Sequence, residues 1–129
     1  MEETGLIEMH AHILPEMDDG SKSVEMSLDM LHKLAEMGVS MVCATSHYYA
    51  GQNSITRFLE RRAAALKKLR EAIPENSGLP RILPAAEVAY FRGLERHQPE
   101  RLCVEGTRTL MLEMPFSEWT DQQAEAVTT

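Results

Sequence analysis

Cysteine is scarce in this 129-residue chain, which carries only Cys43 and Cys103. Both lie within apolar runs, "MVCAT" and "RLCVEG", so a disulfide framework is not expected and both read as reduced thiols in a core. Neither is followed six residues later by arginine, because Tyr49 and Thr109 hold those places. A cysteine-dependent phosphatase loop, Cys-x5-Arg, is thereby excluded. Basic charge is short as well: 13 Lys and Arg against 20 Asp and Glu leave a formal net charge of −7. Binding a nucleic-acid backbone without sequence preference needs basic surface, so no nucleic-acid partner is expected. If phosphate is bound, a metal or a few local arginines must do it. No apolar run approaches the length of a membrane span, and the opening "MEETGLIEMH" is acidic where a signal peptide is basic. The expectation is a cytoplasmic protein with no membrane insertion.

What is present is an ordinary globular composition, 43% hydrophobic and 26% charged, at a length that fits one domain. "GLIEMHAH" reads as a short buried strand running into His10 and His12, which share a face because side chains at i and i+2 of a strand point the same way. From Ser23, a plausible N-cap, Val24, Leu28, Leu31, Leu34 and Ala35 recur at helical spacing up to a stop at Gly38. "VSMVCATSH" is a continuous apolar run ending on His47, which suits a strand covered on both faces. "YYAGQNS" is a loop, and "SITRFLERRAAALKKLREAI" a long amphipathic helix that ends before Pro74. "RILPAAEVAYF" supplies a third strand finishing at Glu87 and "TRTLMLEMPF" a fourth finishing at Glu113, with a short helix and a turn between them. In "TDQQ", Thr120 and Gln123 have the spacing of a capping box at the head of a last helix.

Four predicted strands thus end on His10 and His12, His47, Glu87 and Glu113, with Asp18 and Asp19 in the loop after the first. In a sheet of parallel strands joined by helices, the strand C-termini share one face, where such folds gather their chemistry. Imidazole and carboxylate ligands without thiolate suit zinc, manganese or iron, and several carboxylates suit a cluster of two or three ions. Such clusters support phosphoester hydrolysis. Each feature has a plainer reading on its own: a His-x-His pair as loop packing, Asp18-Asp19-Gly20 as a turn. Glu87 and Glu113 weigh more, because a carboxylate closing an apolar strand is rarely buried without a partner. His32 and His97 read as solvated surface, and most of the nine methionines as core packing.

Together, "HAHILPEMDDGSKSVEMSLDML", "CATSHYY", "LPAAEVAY" and "LMLEMPF" resemble the four successive motifs of the PHP (polymerase and histidinol phosphatase) superfamily. The wording is most similar to its bacterial capsular-polysaccharide tyrosine-protein phosphatases. The resemblance implies an α/β fold, a PHP-type distorted (β/α) barrel of which residues 1–129 hold about the N-terminal half, with about four parallel strands and their helices in a single truncated domain. It implies His10, His12, Asp19, His47, Glu87 and Glu113 as ligands of two or three divalent ions, preferably manganese, with iron or zinc as alternatives. Asp18 is the less secure of its pair. No catalytic side chain beyond the ligands is implied, since a metal-bridging hydroxide attacks the phosphorus. The implied partner is a phosphotyrosine protein, a bacterial tyrosine kinase of capsule or exopolysaccharide assembly. Arg57, Arg61 and Arg62 either meet the substrate phosphate or form a solvated helix face.

Some positions depart from the family pattern. Ser46 stands where proline is common, Glu16 where glycine is usual, and Ala86 precedes Glu87. The family's further histidine motif and final Asp-x-His motif have no counterpart here. Four strands of a barrel leave two open edges and an uncovered inner face, so the expectation is a fragment of a longer protein or a homo-oligomer, most simply a symmetric dimer. Two other functions stay open. One is a phosphatase for a small phosphoester such as histidinol phosphate, and the other is an inactive domain kept as a binding or regulatory piece.

Overall fold

The computed structural model describes residues 5–128; the acidic residues 1–4 and Thr129, at the end of the last predicted helix, lie outside the described residues. The chain alternates strands and helices: β1 (Leu6–Ala11), α1 (Val24–Glu36), β2 (Val39–Ala44), β3 (His47–Tyr48), α2 (Ile55–Ala72), β4 (Arg81–Pro84), β5 (Glu87–Ala89), β6 (Met111–Glu113) and α3 (Asp121–Thr128). Short 3₁₀ turns at Leu94–Arg96 and Pro99–Leu102 stand where a short helix and a turn are predicted. All strand pairs are parallel, as the strand, helix, strand order requires.

The six strands form two three-stranded sheets, ordered β1-β2-β4 and β3-β5-β6, where the sequence predicts about four strands. The predicted second strand divides at Thr45 and Ser46, and the third at Ala85 and Ala86. His47 therefore opens β3 and Glu87 opens β5; neither closes the strand before it. At each division the backbone crosses from one sheet to the other: Thr45 N donates to Ala11 O at 2.8 Å, Ala85 N to Ala44 O at 3.0 Å and Glu87 N to Ser46 O at 2.9 Å. All four crossing residues are buried, so apolarity runs on unbroken while the partner strand changes.

Helix α1 packs on β2 and against α2, Arg70 of α2 donates to Ile82 O of β4, and α3 lies against the Leu94–Arg96 turn. In α1 the Ser23 hydroxyl accepts from Met26 N, and Leu31 is fully buried on the predicted stripe. In α2 the Ser54 hydroxyl accepts from Arg57 N, and Phe58, Leu66 and Leu69 face the core. The predicted capping box is present, with Gln123 N donating to Thr120 Oγ1 (3.1 Å) and Thr120 N to Gln123 Oε1 (2.9 Å). One core cluster joins Ile13, Leu14, Leu31, Val42, Phe58 and Val88.

Two further expectations need correction. The first strand is not buried: β1 is an edge with one neighbour, and Leu6 (62%) and Ile7 (55%) are largely exposed. The methionines are not mainly core, since Met9, Met26 and Met37 are exposed while Met17 is buried. His97 is exposed, yet its ring Nδ1 donates to Gly93 O at 2.6 Å and its edge meets Phe91. The cysteines are both free, Cys43 buried and Cys103 part-buried, and burial beside Glu8 pushes the Cys43 thiol up.

Candidate metal centre

Register alone brings the second sheet's ligand types together. His47 of β3 is paired with Glu87 of β5. Ala89, two residues on and so on the same face as Glu87, is paired with Glu113 of β6. His10 and His12 arrive from the end of β1, their ring nitrogens 3.3 Å apart. Glu87 Oε1 lies 2.9 Å from His10 Nε2, 3.0 Å from His12 Nε2 and 3.6 Å from His47 Nδ1. Glu113 Oε1 is 3.9 Å from His47 Nδ1. The cluster therefore straddles both sheets.

The loop between β1 and α1 carries the two aspartates, and its shape decides their roles. Ser21 N donates to His12 O and Glu16 N to Ser21 O, folding the loop back on the strand end. Ser27 of α1 donates to Ile13 O and shares a hydrogen bond with Ser21. Gly20 is pressed against His12 so closely that a Cβ there would meet His12 Cβ at 2.4 Å. Asp18 points inward, its side chain 7% exposed; Oδ2 accepts from His12 Nδ1 (2.8 Å) and His47 N (2.9 Å), and Oδ1 from Gly20 N (2.9 Å). Burial raises the Asp18 carboxyl pKa, but the hydrogen bonds from His12, His47 N and Gly20 N and the charge of His12 outweigh it, and the net shift is downward. Asp19 stands at the rim, 86% exposed, with Oδ1 3.7 Å from His47 Nε2.

All six predicted ligands thus come together, in three overlapping groups whose ligand atoms lie within 4.8 Å of one another: His12, Asp18, Asp19 and His47; His10, His12 and Glu87; His47, Glu87 and Glu113. Two observations fit a cation there. The buried His47 Nδ1 has no hydrogen-bond partner among the described residues, although a buried ring nitrogen normally finds one. His10, His12 and His47 also crowd one carboxylate oxygen with ring nitrogens, a donor set that suits a divalent first-row metal.

Tyr49 was not singled out from the sequence. Its ring stacks on His47, centroids 5.2 Å apart and planes at 18°. Burial, then the charges of Glu113, Asp19, Glu87 and Asp18, push its phenol pKa up. The available signal was its spacing, two residues from His47, as His12 is from His10. The three arginines divide: Arg57 is exposed on α2, Arg62 donates to Ala85 O at the β4–β5 crossing, and Arg61 donates to Met17 O. Arg61 also lines a cavity of about 300 Å³ with Asp18, Asp19, His47 and Tyr49.

The family model described as capsular polysaccharide synthesis, CpsB/CapC, matches residues 6–129. The chain belongs to this family. Within the family it is similar to the tyrosine-protein phosphatase YwqE of Bacillus subtilis (strain 168), 30% identical over 116 residues that make up 86% of this chain and 44% of YwqE. It is also similar to the tyrosine-protein phosphatase CpsB of Streptococcus agalactiae, 37% identical over 46 residues, 36% of this chain and 19% of CpsB. Among solved structures, a chain from the work on YwqE from Bacillus subtilis and CpsB from Streptococcus pneumoniae, described as unique metal-dependent tyrosine phosphatases, superposes with a TM-score of 0.71 at 27% identity. That match covers 95% of this chain and 49% of the other, so the chain spans half or less of the length of the family members it matches. Among the described residues, no helix is long and apolar enough to cross a membrane.

Proposed function

We propose that this chain carries the metal centre of a protein-tyrosine phosphatase, with His10, His12, Asp19, His47, Glu87 and Glu113 as ligands of two or three divalent ions, manganese preferred. The single observation that carries the reading is the convergence of these six side chains from both sheets into overlapping groups, with a buried His47 Nδ1 that has no hydrogen-bond partner among the described residues. In the proposal the two sheets are part of a PHP-type distorted (β/α) barrel, residues 1–129 form one domain within it, and the protein works in the cytoplasm. Its substrate is a phosphotyrosine protein, a bacterial tyrosine kinase of capsule or exopolysaccharide assembly. A second copy of the chain, in a homo-oligomer, covers the open edge at β1.

Bound divalent ions supply charge stabilisation for phosphoryl oxygens and a lowered pKa for water. The chain's own residues prepare that chemistry. Asp18 accepts from His12 Nδ1 and so orients the ring with its Nε2 toward Glu87 and His10, the usual work of a carboxylate behind a ligating histidine. The Asp18 contact to His47 N ties β3 to the same carboxylate. Arg61, on the rim of the cavity beside Asp19, offers a cation to an incoming phosphate, while the Tyr49 ring shields one side of His47 from water.

The deciding experiment is p-nitrophenyl phosphate hydrolysis by purified 1–129 with and without Mn²⁺, beside His10→Ala. Manganese-dependent turnover abolished in the variant is expected; turnover no higher than the variant's would reject catalysis by this chain and leave the regulatory reading. Comparing a phosphotyrosine peptide with histidinol phosphate then separates the protein substrate from the small one.

A further inference from the structure

We infer that the groove between α2 and the Phe91–Arg101 segment is a docking site for an acidic stretch of substrate polypeptide flanking the phosphotyrosine; this rests on the phosphatase reading above. The groove encloses about 600 Å³, within the range of cavities that take ligands. Tyr48 and Phe91 line it with aromatic surface, their rings in edge contact at 6.2 Å, and Arg92, Arg96 and Arg101 surround them. No carboxylate is among the described residues that line it, in a chain of net charge −7. None of the three arginines forms an ion pair with a described residue, and Arg101 is held in place by donating to Thr56 Oγ1 at 3.1 Å. All three are exposed along the groove, where carboxylates of an anionic guest can accept charge-assisted hydrogen bonds from them.

Position ties the groove to the metal centre. Asn53 lines both the groove and the smaller cavity beside Asp18, Asp19 and His47. Tyr48, whose hydroxyl donates to Asn53 O at 3.0 Å, directly follows His47. A chain laid across the 49–54 loop would therefore place one side chain at the metal centre and its neighbours among the arginines. The need for such a site follows from charge. The chain as a whole carries a formal net charge of −7, which repels an acidic peptide, and the groove supplies the compensating local attraction beside the metal centre. The backbone is built to hold this edge: Gly93 (φ 86°) and Gln98 (φ 55°) both occupy the left-handed region, turning the segment so that Arg92, Arg96 and Arg101 reach one groove.

The test is fluorescence anisotropy of a labelled glutamate-rich peptide with an unphosphorylated tyrosine, on the wild-type chain, on R92A/R96A/R101A and on R92K/R96K/R101K. The peptide is expected to bind the wild type, about tenfold more weakly the alanine variant, and nearly normally the lysine variant, with affinity falling as salt rises. Equal affinity for all three proteins would overturn the proposal. Tighter binding of oligothymidylate than of the peptide, lost in the alanine variant, would overturn the assigned occupant. The probe carries no phosphate, so its binding does not depend on hydrolysis. Loss of manganese-dependent turnover in the wild type would sink the phosphatase reading alone, whereas unchanged p-nitrophenyl phosphate turnover in an alanine variant that cannot bind the peptide supports the groove.

Discussion

Asp18 and Asp19 are chemically identical neighbours in opposite settings, one turned inward and one at the rim. Nothing in "MDDG" records which one turns inward, because that depends on Ser21 and Glu16 folding the loop back on His12 and on Gly20 pressing against it. Asp18→Asn leaves one acceptor oxygen where the carboxylate has two, so an amide NH₂ faces either Gly20 N or the His12 and His47 N donors; the loss of His12 orientation should weaken Mn²⁺ binding about 10- to 100-fold, measured by titration calorimetry, as losses behind a ligating histidine do. Its pH signature is also fixed in sign. Because the folded-state pKa of Asp18 is depressed, its stabilisation is present above the ordinary aspartate value and is lost as pH falls through the lower folded value. In EDTA, the gap in urea midpoint between wild type and Asp18→Asn should stay level from neutrality to about pH 5 and close below about pH 4. A gap that widened on acidification would contradict the assignment. The residue types of the site were legible in the sequence. Their depth, and the stacking of Tyr49 on His47, were not.

At the scale of elements, helices and caps were well written: Ser23, Ser54 and the Thr120–Gln123 pair all cap as their spacing requires. The strands were under-resolved for a physical reason. Hydrophobic continuity reports burial on both faces, and "VSMVCATSH" and "RILPAAEVAYF" stay buried through Thr45-Ser46 and Ala85-Ala86, where the chain leaves one sheet for the other. Only backbone pairing distinguishes the two halves. Small side chains are needed at these crossings, so Ala86→Leu, next to Glu87, should destabilise the chain by about 1–3 kcal/mol through overpacking, read from urea unfolding. The loop before α1 holds the reverse case. Glu16 sits at φ 58°, the left-handed region that costs a side-chain-bearing residue about 1 kcal/mol, and its side chain makes an exposed 3.6 Å pair with Lys68. Glu16→Gly should raise stability by up to about 1 kcal/mol, because glycine adopts that conformation without steric cost.

For the whole molecule, class, strand direction and the meeting of the six ligand positions could be read from the sequence, whereas the division into two sheets and the bareness of β1 could not. A bare edge strand with exposed Leu6, Ile7 and Met9 is a template for pairing. Residues 1–129 should self-associate in sedimentation velocity at micromolar concentration, and Ile7→Lys should shift the chain toward monomer. A wild type that stays monomeric throughout would remove the oligomer from the proposal.

The cluster draws His10 and His12 from the end of one sheet and His47, Glu87 and Glu113 from the other. Whatever neutralises these groups acts as a clasp across the seam between the two sheets. Calorimetric melting should then be a single sharp transition with Mn²⁺ and a broader, lower one in chelator, with backbone amides of β3 and β6 exchanging first. A cation held by these groups would be the rivet that makes two small sheets behave as one body.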